Sequence, residues 1–558
     1  MVVPHPTSPL DRRRFLIGVG AVAGLAAAAQ LPVGPAEARP RVAGGDYVFR
    51  LGVASGDPLP DGVVLWTRLV PRRFEPGGGM PPRRLPVQWQ VAADERFSRI
   101  IRGGTVWALP ELAHSVHVEV EGLTPDGEWF YRFRYRDQVS PVGRTRTAPA
   151  MGARTGRLAL AFASCQDWAS GYYPSYRHMA QEDLDLVLHL GDYVYEGGIP
   201  ADGGLRAVNT PDILRVPPRG DLTRWRMQYA LYKSDPDLRA VHARFPFAVT
   251  WDDHEVLNDY ANTHSQYGDG NIPLRRRNAY QAWYEHQPVR RPARPGSEGP
   301  RVYRRLHWGD LAQIDMVDGR QFRTIPACGW GEADACDEAY LPRQTMLGRP
   351  QEQWLYNGYA ANRPRWNILG NNVMLARLDH DGKKGDLLWN DAWDGYPRAR
   401  NRLTRAWVEN DVRNPVAFTG DWHSTFVNDI KRNFDHPKSP VVATEFVGTS
   451  ISTNGDVPVY GPYYGPMIDF NPHIKFFDGD RRGYVRVNID RKKIFVAHRM
   501  VRTVSTRRAD QYTLATFMVE DGRPGAVQLS GPTQDRFPER SSSRGYGKDA
   551  EGKATQVG

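Results

Sequence analysis

Hydrophobic runs that end in potential metal ligands are the feature of this sequence that most restricts its fold. Three such runs occupy residues 184–190, 247–251 and 416–419, and they are followed by Gly191-Asp192, Asp252-Asp253-His254-Glu255 and Gly420-Asp421-Trp422-His423. From residue 158 onward, such runs alternate with longer segments of helical spacing, such as residues 222–244, which is typical of an α/β domain. Because loops at strand ends share one rim of a sheet, we expect these polar residues to form a single functional site.

The anionic residues at these strand ends predict a site for trivalent iron. Cys165 follows the hydrophobic run 158–163, and Tyr195 lies three residues after Asp192. A thiolate, a carboxylate and a phenolate together suit a trivalent iron better than a structural zinc. His423 would add a neutral nitrogen ligand. For Cys165 taken alone, simple burial in the core is the alternative.

A second, oxygen-rich metal site is predicted beside the first. Asp253 would supply oxygen ligands, with Asn258 as a further candidate, and this donor type suits calcium, magnesium or manganese. Asp192 is the best candidate for a bridging ligand. Asp421 can reach either the same ion as His423 or the second ion. His254 is then free to contact the substrate.

The amino terminus predicts export. Arg12-Arg13-Arg14-Phe15-Leu16 precedes an uncharged stretch rich in Ala and Gly, and Ala36-Glu37-Ala38 is a small-residue cleavage site. This order is typical of a twin-arginine signal peptide over residues 1–38, so we expect a secreted protein that uses the twin-arginine export machinery. The stretch is shorter than the ~20 apolar residues of a membrane helix, and we expect no membrane span. A disordered, Arg-rich leader is the alternative.

Two folded domains are expected in this chain of 558 residues, because one ordinary core would not fill it. Short strand-like runs, of which 47–51 is the first, predict an all-β domain over residues 39–150. The turn at 123–127 followed by the aromatic strand at 129–134 is similar to a fibronectin type III sandwich. The boundary is expected near residues 148–155, where Pro149, Gly152 and Gly156 mark a short linker. The α/β domain would then cover residues 151–540, and a polar tail over 541–558 is expected to be disordered.

Charge and cysteine content narrow the class of protein further. The net charge of +10 comes from scattered arginines without a polybasic tail, so a dedicated nucleic-acid partner is not expected. An anionic cell wall, lipid headgroups or no specific partner remain open. Cys328 and Cys336 are eight residues apart in an exported chain and are predicted to pair as a disulfide.

Several motifs together resemble the PhoD-type alkaline phosphatases, a family within the calcineurin-like metallophosphoesterases whose relatives include a secreted actinobacterial phospholipase D. The resemblance covers nearly the whole chain, from the leader and the segment 49–58 through Ala163-Ser164-Cys165 and the three strand-end motifs. It implies a four-layer α/β/β/α catalytic domain after the small β-sandwich. It also implies Fe³⁺ held by Cys165, Asp192, Tyr195 and His423, with Ca²⁺ nearby through Asp192, Asp253 and Asp421.

Departures from the similar site of purple acid phosphatases favour a hard ion at the second position. Cys165 stands where those enzymes have a carboxylate, Asp253 replaces an Asn, and Asp421 replaces a His. The added oxygen ligands suit calcium. The resemblance also implies a second calcium, for which the sequence assigns no ligands beyond the suggestion of Asn258.

The expected reaction is hydrolysis of phosphate esters by a metal-bound hydroxide at alkaline pH. His254 would contact the phosphoryl group or protonate the leaving oxygen, and Asp421 is counted with it among the catalytic residues. Arg320 is predicted to orient the phosphate, with a structural ion pair as the equal alternative. Phosphomonoesters, phosphodiesters such as teichoic acid, and phospholipids cleaved by a phospholipase D activity all remain open as substrates. A monomer is expected, and a non-enzymatic cell-wall binding protein is the distant alternative.

Overall fold

The computed structural model describes residues 46–268, 270–296, 299–361, 363–383 and 385–532. The predicted signal peptide and polar tail lie outside these residues. The amino-terminal part contains strands β1 (Val53–Leu59), β2 (Gly62–Arg68), β3 (Leu85–Ala92), β4 (Ile100–Ala108), β5 (Ser115–Val120), β6 (Glu128–Tyr135), β7 (Gln138–Val139) and β8 (Gly143–Arg146).

The rest of the chain alternates strands and helices, as the sequence predicts. Its strands are β9 (Arg157–Ala163), β10 (Leu186–His189), β11 (Pro246–Val249), β12 (Arg304–Trp308), β13 (Ala312–Met316), β14 (Glu332–Asp334), β15 (Trp366–Asn371), β16 (Leu387–Trp389), β17 (Pro415–Thr419), β18 (Thr425–Lys431), β19 (Val441–Val447), β20 (Ile474–Asp478), β21 (Arg482–Asp490), β22 (Lys493–Val501), β23 (Gln511–Glu520) and β24 (Arg523–Ser530). The α-helices are α1 (Pro174–Met179), α2 (Leu222–Tyr232), α3 (Pro236–Arg244), α4 (Ile272–His286), α5 (Arg349–Ala361), α6 (Pro397–Glu409) and α7 (Tyr460–Tyr464). Short 3-10 turns cover Pro76–Gly79, Pro110–Leu112, Gly204–Arg206, Asp212–Leu214, Arg291–Ala293, Asp337–Tyr340, Trp393–Gly395 and Gly465–Phe470.

Two large mixed sheets organise the strands. One sheet has the order β24-β23-β22-β21-β9-β10-β11-β1-β2-β5, and the other has the order β12-β13-β15-β17-β19-β18-β20. Strands β9, β10 and β11 run parallel to one another in the first sheet, and β13, β15, β17 and β19 run parallel in the second. The carboxyl ends of each parallel set therefore lie on one edge of its sheet.

Successive side chains of the central strands point to opposite faces of the sheet, and both faces are buried. In β9, Leu160 and Phe162 pack in a core shared with residues of the second sheet, and Phe162 stacks on Phe418 at 4.9 Å between ring centroids. Ala161 belongs instead to a core with residues of helices α2 to α4, such as Trp225. On the second sheet, residues such as Leu369 pack with side chains of α5 and α6. Strands with both faces covered explain the continuous hydrophobic runs in the sequence.

The amino-terminal strands divide between two sheets. Strands β3, β4, β6, β7 and β8 form a five-stranded sheet, whereas β1, β2 and β5 extend the ten-stranded sheet. Strand β1 joins the ten-stranded sheet through the parallel pairing of Ser55 and Gly56 with β11. The buried Asp57 also forms an ion pair at 2.6 Å with the partly exposed Arg304. The segment predicted as a sandwich thus shares a sheet with the α/β part, and the domain boundary near residue 150 stays a prediction.

Two local predictions need correction. Residues 47–51, expected as a strand, form turns, and the first strand begins only at Val53. The helical segment expected over 222–244 is two helices, because Asp235 caps α3 by accepting hydrogen bonds from the backbone N–H groups of Asp237 and Leu238, and Pro236 occupies its first turn. Among the described residues no helix is both long and apolar enough to span a membrane.

Candidate metal centre

Four strand ends deliver the predicted ligands to one place. Cys165 follows β9, Asp192 follows β10, Asp253 follows β11, and Asp421 and His423 follow β17. The first three strands are neighbours in the ten-stranded sheet, and β17 contributes from the facing sheet. The site therefore lies where the carboxyl ends of parallel strands from both sheets meet.

The backbone at these strand ends takes an unusual conformation. Cys165, Asp192, Asp421 and His423 all have positive φ values, of 57°, 55°, 62° and 50°. A left-handed conformation costs a residue with a side chain about 1–3 kcal/mol and is concentrated at functional sites. Gly191 has a φ of 119°, and a Cβ there would lie 2.3 Å from Cβ of Asp252, so only glycine allows the two loops to approach.

The four ligands predicted for iron converge. One ligand atom each from Cys165, Asp192 and His423 lies within 4.8 Å of the others, and all three residues are buried. The Tyr195 hydroxyl donates a hydrogen bond to Oδ2 of Asp192 at 3.0 Å and lies 3.2 Å from Nε2 of His423. One ion could thus contact sulfur, carboxylate, phenol and imidazole together.

Two further groups of potential ligands adjoin the first. Asp192, Asp253 and His254 form one group, and Asp252, Asp253 and Asp421 form the other, each with ligand atoms within 4.8 Å. Asp192 and Asp253 each belong to two of the three groups, and the bridging position of Asp192 stays a prediction. The sequence analysis did not select Asp252, although it lies in the quoted motif directly before Asp253.

The acidic groups in this buried space hold their protons more tightly than usual. Burial raises the pKa of the Asp192 carboxyl to about 8, and the nearby carboxylates of Asp253 and Glu255 add to that shift. Burial also raises the pKa of the Cys165 thiol and the Tyr195 phenol well above their usual values, with a contribution from Asp192 in both cases. Metal ions that bind here would have to displace protons from these groups.

Unpartnered oxygen atoms show that the residues fit bound cations. Oδ1 of Asp192 and Oδ2 of Asp252 are buried, and neither has a hydrogen-bond partner among the described residues. Burial raises the pKa of Asp252 and Asp421 well above the usual value. Carboxylates packed this closely ionise only when positive charge compensates them, and a sulfur, nitrogen and oxygen donor set suits iron beside a harder ion.

Arg320 is the positive group of this cluster. Its guanidinium is fully buried, donates to Asp252, and forms ion pairs at 2.7 Å with Asp391, 3.3 Å with Asp253 and 3.8 Å with Asp421. These contacts support the structural alternative for Arg320, and its direct contact with substrate stays a prediction. Asp391, which the sequence analysis missed, comes from the loop after β16 and has no local motif to mark it.

A carboxylate orients His254. Oε2 of Glu196 lies 2.7 Å from Nδ1 of His254, and Nε2 on the other side of the ring lies 4.0 Å from Asp253. Burial lowers the pKa of His254, but the charges of Glu196, Asp253 and Asp192 outweigh it and hold the pKa well above its usual value. Sequence reasoning missed Glu196, whose only signal is its position directly after Tyr195.

Asn258 has different neighbours from those expected of a ligand. Its backbone N–H donates to Oε1 of Glu196 at 2.8 Å, and its side-chain amide donates to the Tyr267 hydroxyl at 3.1 Å. These contacts place Asn258 beside the carboxylate that orients His254, and its role as a metal ligand stays a prediction.

Glu255 holds two of the ligand-bearing loops in position. The Glu255 carboxylate accepts hydrogen bonds from the backbone N–H groups of Asp192, Tyr193 and Asp252, at 3.0, 2.7 and 2.8 Å. It therefore joins the loops after β10 and β11. Glu255 lies in the motif after β11, but no feature of the motif indicates this role.

Two hydroxyl groups contact residues that are predicted to bind iron. The Thr453 hydroxyl donates to the Tyr195 oxygen at 2.8 Å, and the Tyr460 hydroxyl lies 3.1 Å from Nδ1 of His423. Partners of this kind fix the orientation of metal ligands. Both residues come from the segment after β19, where nothing in the sequence indicated a functional site.

The predicted disulfide is present between Cys328 and Cys336, whose Cα atoms are 5.6 Å apart. Cys165 is free and buried. The pairing leaves Cys165 as the one described cysteine that is available to bind a metal.

A buried cluster of thiol, carboxyl, phenol and imidazole groups at the ends of parallel strands defines a metal-dependent hydrolase of mixed α and β structure. Residues 160–497 match the family described as PhoD-like phosphatase, and residues 35–149 match the PhoD-like phosphatase N-terminal domain. The chain belongs to the PhoD-like phosphatase family. The resemblance inferred from the motifs and the assignment to phosphoric ester hydrolases are confirmed, against the alternative of a non-enzymatic wall-binding protein.

Two relatives show how far the similarity extends. The chain is 40% identical over 531 residues to alkaline phosphatase D of Bacillus subtilis (strain 168), which covers 94% of this chain and 90% of the relative. A solved structure described as "Structure of PhoD" superposes with a TM-score of 0.82 at 40% identity and covers 88% of this chain and 94% of that one. The similarity therefore includes both the amino-terminal strands and the metal centre.

Proposed function

We propose that this protein is an exported, monomeric enzyme that hydrolyses phosphate monoesters and diesters at alkaline pH. The observation that carries the proposal is the convergence of Cys165, Asp192, Tyr195 and His423 with Asp253 and Asp421 in one buried cluster. The twin-arginine leader over residues 1–38 supports export. The packing of each large sheet on the other sheet and on helices supports the four-layer α/β/β/α arrangement, with residues 39–150 as an amino-terminal β-sandwich domain.

The ligand assignment follows the chemistry of the donors. Cys165, Asp192, Tyr195 and His423 would hold Fe³⁺, because three of the four become anionic when they bind it. Asp192, Asp253 and Asp421 would hold Ca²⁺, with Asn258 as the candidate for a second calcium. When bound, such ions act as Lewis acids on phosphoryl oxygens and lower the pKa of water.

The protein's own residues would position the ester and move a proton. His254 is held by Glu196 with Nε2 directed toward the metal ligands, so a protonated ring can donate to a phosphoryl or leaving-group oxygen. Asp421 would act within the same cluster. Arg320 fixes the carboxylates of Asp252 and Asp253 and would reach the phosphate only through them.

Phospholipase D activity is a second candidate, because apolar side chains are exposed beside the site. Leu205, Ile213 and Val216 are 45%, 46% and 60% exposed. The segment that carries them is joined to the loop after Glu196 by a hydrogen bond from Ile199 N–H to the Leu214 carbonyl at 2.8 Å. Such side chains could contact the acyl chains of a lipid while the headgroup phosphate reaches the metals.

Hydrolysis assays decide between these activities. We expect the purified protein to cleave p-nitrophenyl phosphate and bis-p-nitrophenyl phosphate at alkaline pH, to lose activity on chelation and to regain it with calcium. A faster rate on phosphatidylcholine vesicles would select the phospholipase instead. Activity that survives complete removal of metal would refute the proposed function.

A further inference from the structure

A cavity of about 490 Å³ lies between helix α6 and the loop that joins β18 to β19. We call it the basic pocket, and its lining residues are Asn401, Arg405, Arg432, Asn433, His436, Lys438, Ser439 and Pro440. The lining contains two arginines, a lysine and a histidine but no acidic residue. This composition selects for an anion.

The helical side of the basic pocket follows from sequence spacing. Asn401 and Arg405 are four residues apart in α6 and therefore project from the same face. Between them, the Thr404 hydroxyl donates a hydrogen bond to the Arg432 carbonyl at 2.8 Å and attaches the loop to the helix. The backbone of Arg432 is thus held beside α6, next to the turn that carries Arg405.

The loop side of the basic pocket is ordered by its own hydrogen bonds. The backbone N–H of Arg432 donates to the Pro440 carbonyl at 2.9 Å, and that of Asn433 donates to the Ser439 hydroxyl at 3.0 Å. Phe434 anchors the loop because its side chain is buried and packs on Arg400. A loop held in this way does not need to be ordered when a ligand binds.

The positive side chains of the basic pocket form few ion pairs with acidic residues of the protein. Arg432 and Lys438 form no ion pair within the described part of the chain, and Arg405 has only an exposed pair with Glu409 at 4.0 Å. The acidic residue of the loop, Asp435, accepts a hydrogen bond from Tyr340 at 2.8 Å outside the pocket. The positive charge is therefore available to a ligand.

The basic pocket is separate from the metal centre. Strand β18 begins two residues after His423 and ends at Lys431, directly before the pocket loop. At ~3.3 Å per residue, its seven residues place the two sites about 20 Å apart, at opposite ends of the strand. An anion in the pocket would not touch the metal ligands.

We propose that the basic pocket binds a phosphate group. Arginine and lysine side chains match phosphate oxygens through charge-assisted hydrogen bonds, and Asn401 and Ser439 can add neutral ones. The group could belong to inorganic phosphate or to a repeating unit of a phosphodiester polymer, and the cavity has room for more than a single ion. If the phosphate group belongs to a phosphodiester polymer, the inference rests on the proposed function, because that polymer would also be a substrate of the metal centre. Binding of inorganic phosphate does not depend on the proposed function.

The test compares a pocket variant with a charge-matched control. The double variant Arg432→Gln/Lys438→Gln removes two cations from the basic pocket, and Lys492→Gln/Lys493→Gln removes two exposed cations at the start of β22. Each metal-loaded, full-length protein is titrated by calorimetry with inorganic phosphate and, separately, with a poly(glycerol phosphate) chain. Thermal unfolding of all three proteins checks that the exposed substitutions leave the fold intact.

We expect the pocket variant to bind at least one of the two ligands about tenfold more weakly than the wild type and the control, since two charge-assisted contacts are lost. Weaker binding of inorganic phosphate would identify free phosphate as sufficient, and an effect confined to the polymer would identify the polymer. Equal binding of both ligands by all three proteins would overturn the proposal. Phosphate ester hydrolysis is measured separately, so an inactive protein that still shows the binding difference would refute the proposed function alone.

Discussion

Arg320 offers the sharpest test of how the metal centre is held together. Its guanidinium is fully buried and contacts Asp252, Asp253, Asp391 and Asp421. Replacing it with glutamine would leave Asp252 and Asp421 without an ion-pair partner among the described residues, whereas Asp391 would keep only its pair with Arg323. Loss of one partner from a buried ion pair costs about 3–5 kcal/mol. We therefore expect Arg320→Gln to lower the free energy of unfolding by about 3–5 kcal/mol in metal-free protein.

The measurement is denaturant and thermal unfolding of metal-free Arg320→Gln beside the wild type. With an unfolding entropy of ~2 cal/mol/K per residue, the described residues predict a fall in Tm of about 3–5 °C. Arg508→Gln is the matched control, because Arg508 is exposed and should change stability by less than ~0.5 kcal/mol. If Arg320→Gln has wild-type stability and only a raised KM, the structural role is refuted and the predicted substrate contact is favoured.

Three further variants probe the residues around the ligands and the core. Glu196→Gln removes a charge that raises the pKa of His254, so the ring should lose its proton at lower pH. The alkaline limb of the pH profile of kcat should then move to lower pH. An unshifted profile would exclude His254 as the proton donor. Tyr460→Phe removes the hydroxyl at Nδ1 of His423 and should weaken iron retention about 10-fold or more in a chelator competition, whereas unchanged retention would contradict the orienting role. Burial lowers the pKa of His498 to about 3, and neither ring nitrogen has a hydrogen-bond partner among the described residues. Below about pH 6.5 the imidazole of His498 binds a proton in the unfolded chain but not in the folded state, so the free energy of unfolding falls by about 2 kcal/mol between pH 7 and pH 5. His498→Phe should remove that loss of stability. An identical pH dependence of stability in the variant would contradict this reasoning.

The predictable part of the structure is local in the chain. The hydrophobic runs before Gly191, Asp252 and Gly420 become β10, β11 and β17, because buried strands require continuous apolar sequence. Their polar ends meet because parallel strands place their carboxyl ends on one edge. Cys165 and Tyr195 could be selected from chemistry alone, since few residue types bind trivalent iron.

The parts that could not be predicted depend on contacts distant in sequence. Thr453 reaches Tyr195 across 258 residues, and Asp391 reaches Arg320 across 71. Neither lies in a motif, so no periodicity or spacing could select it. The pairing of β1 with β11 is equally long-range, and it explains why the amino-terminal strands do not share a single sheet.

The most direct test of the account is anomalous diffraction at the iron absorption edge from crystals of protein exported through its own leader. The account predicts one iron peak surrounded by Sγ of Cys165, a carboxylate oxygen of Asp192, the Tyr195 phenol oxygen and Nε2 of His423. Cys165→Ala should abolish that peak together with phosphatase activity, while leaving the Cys328–Cys336 disulfide in place. Absence of iron from this position in an active wild-type crystal would contradict the central claim.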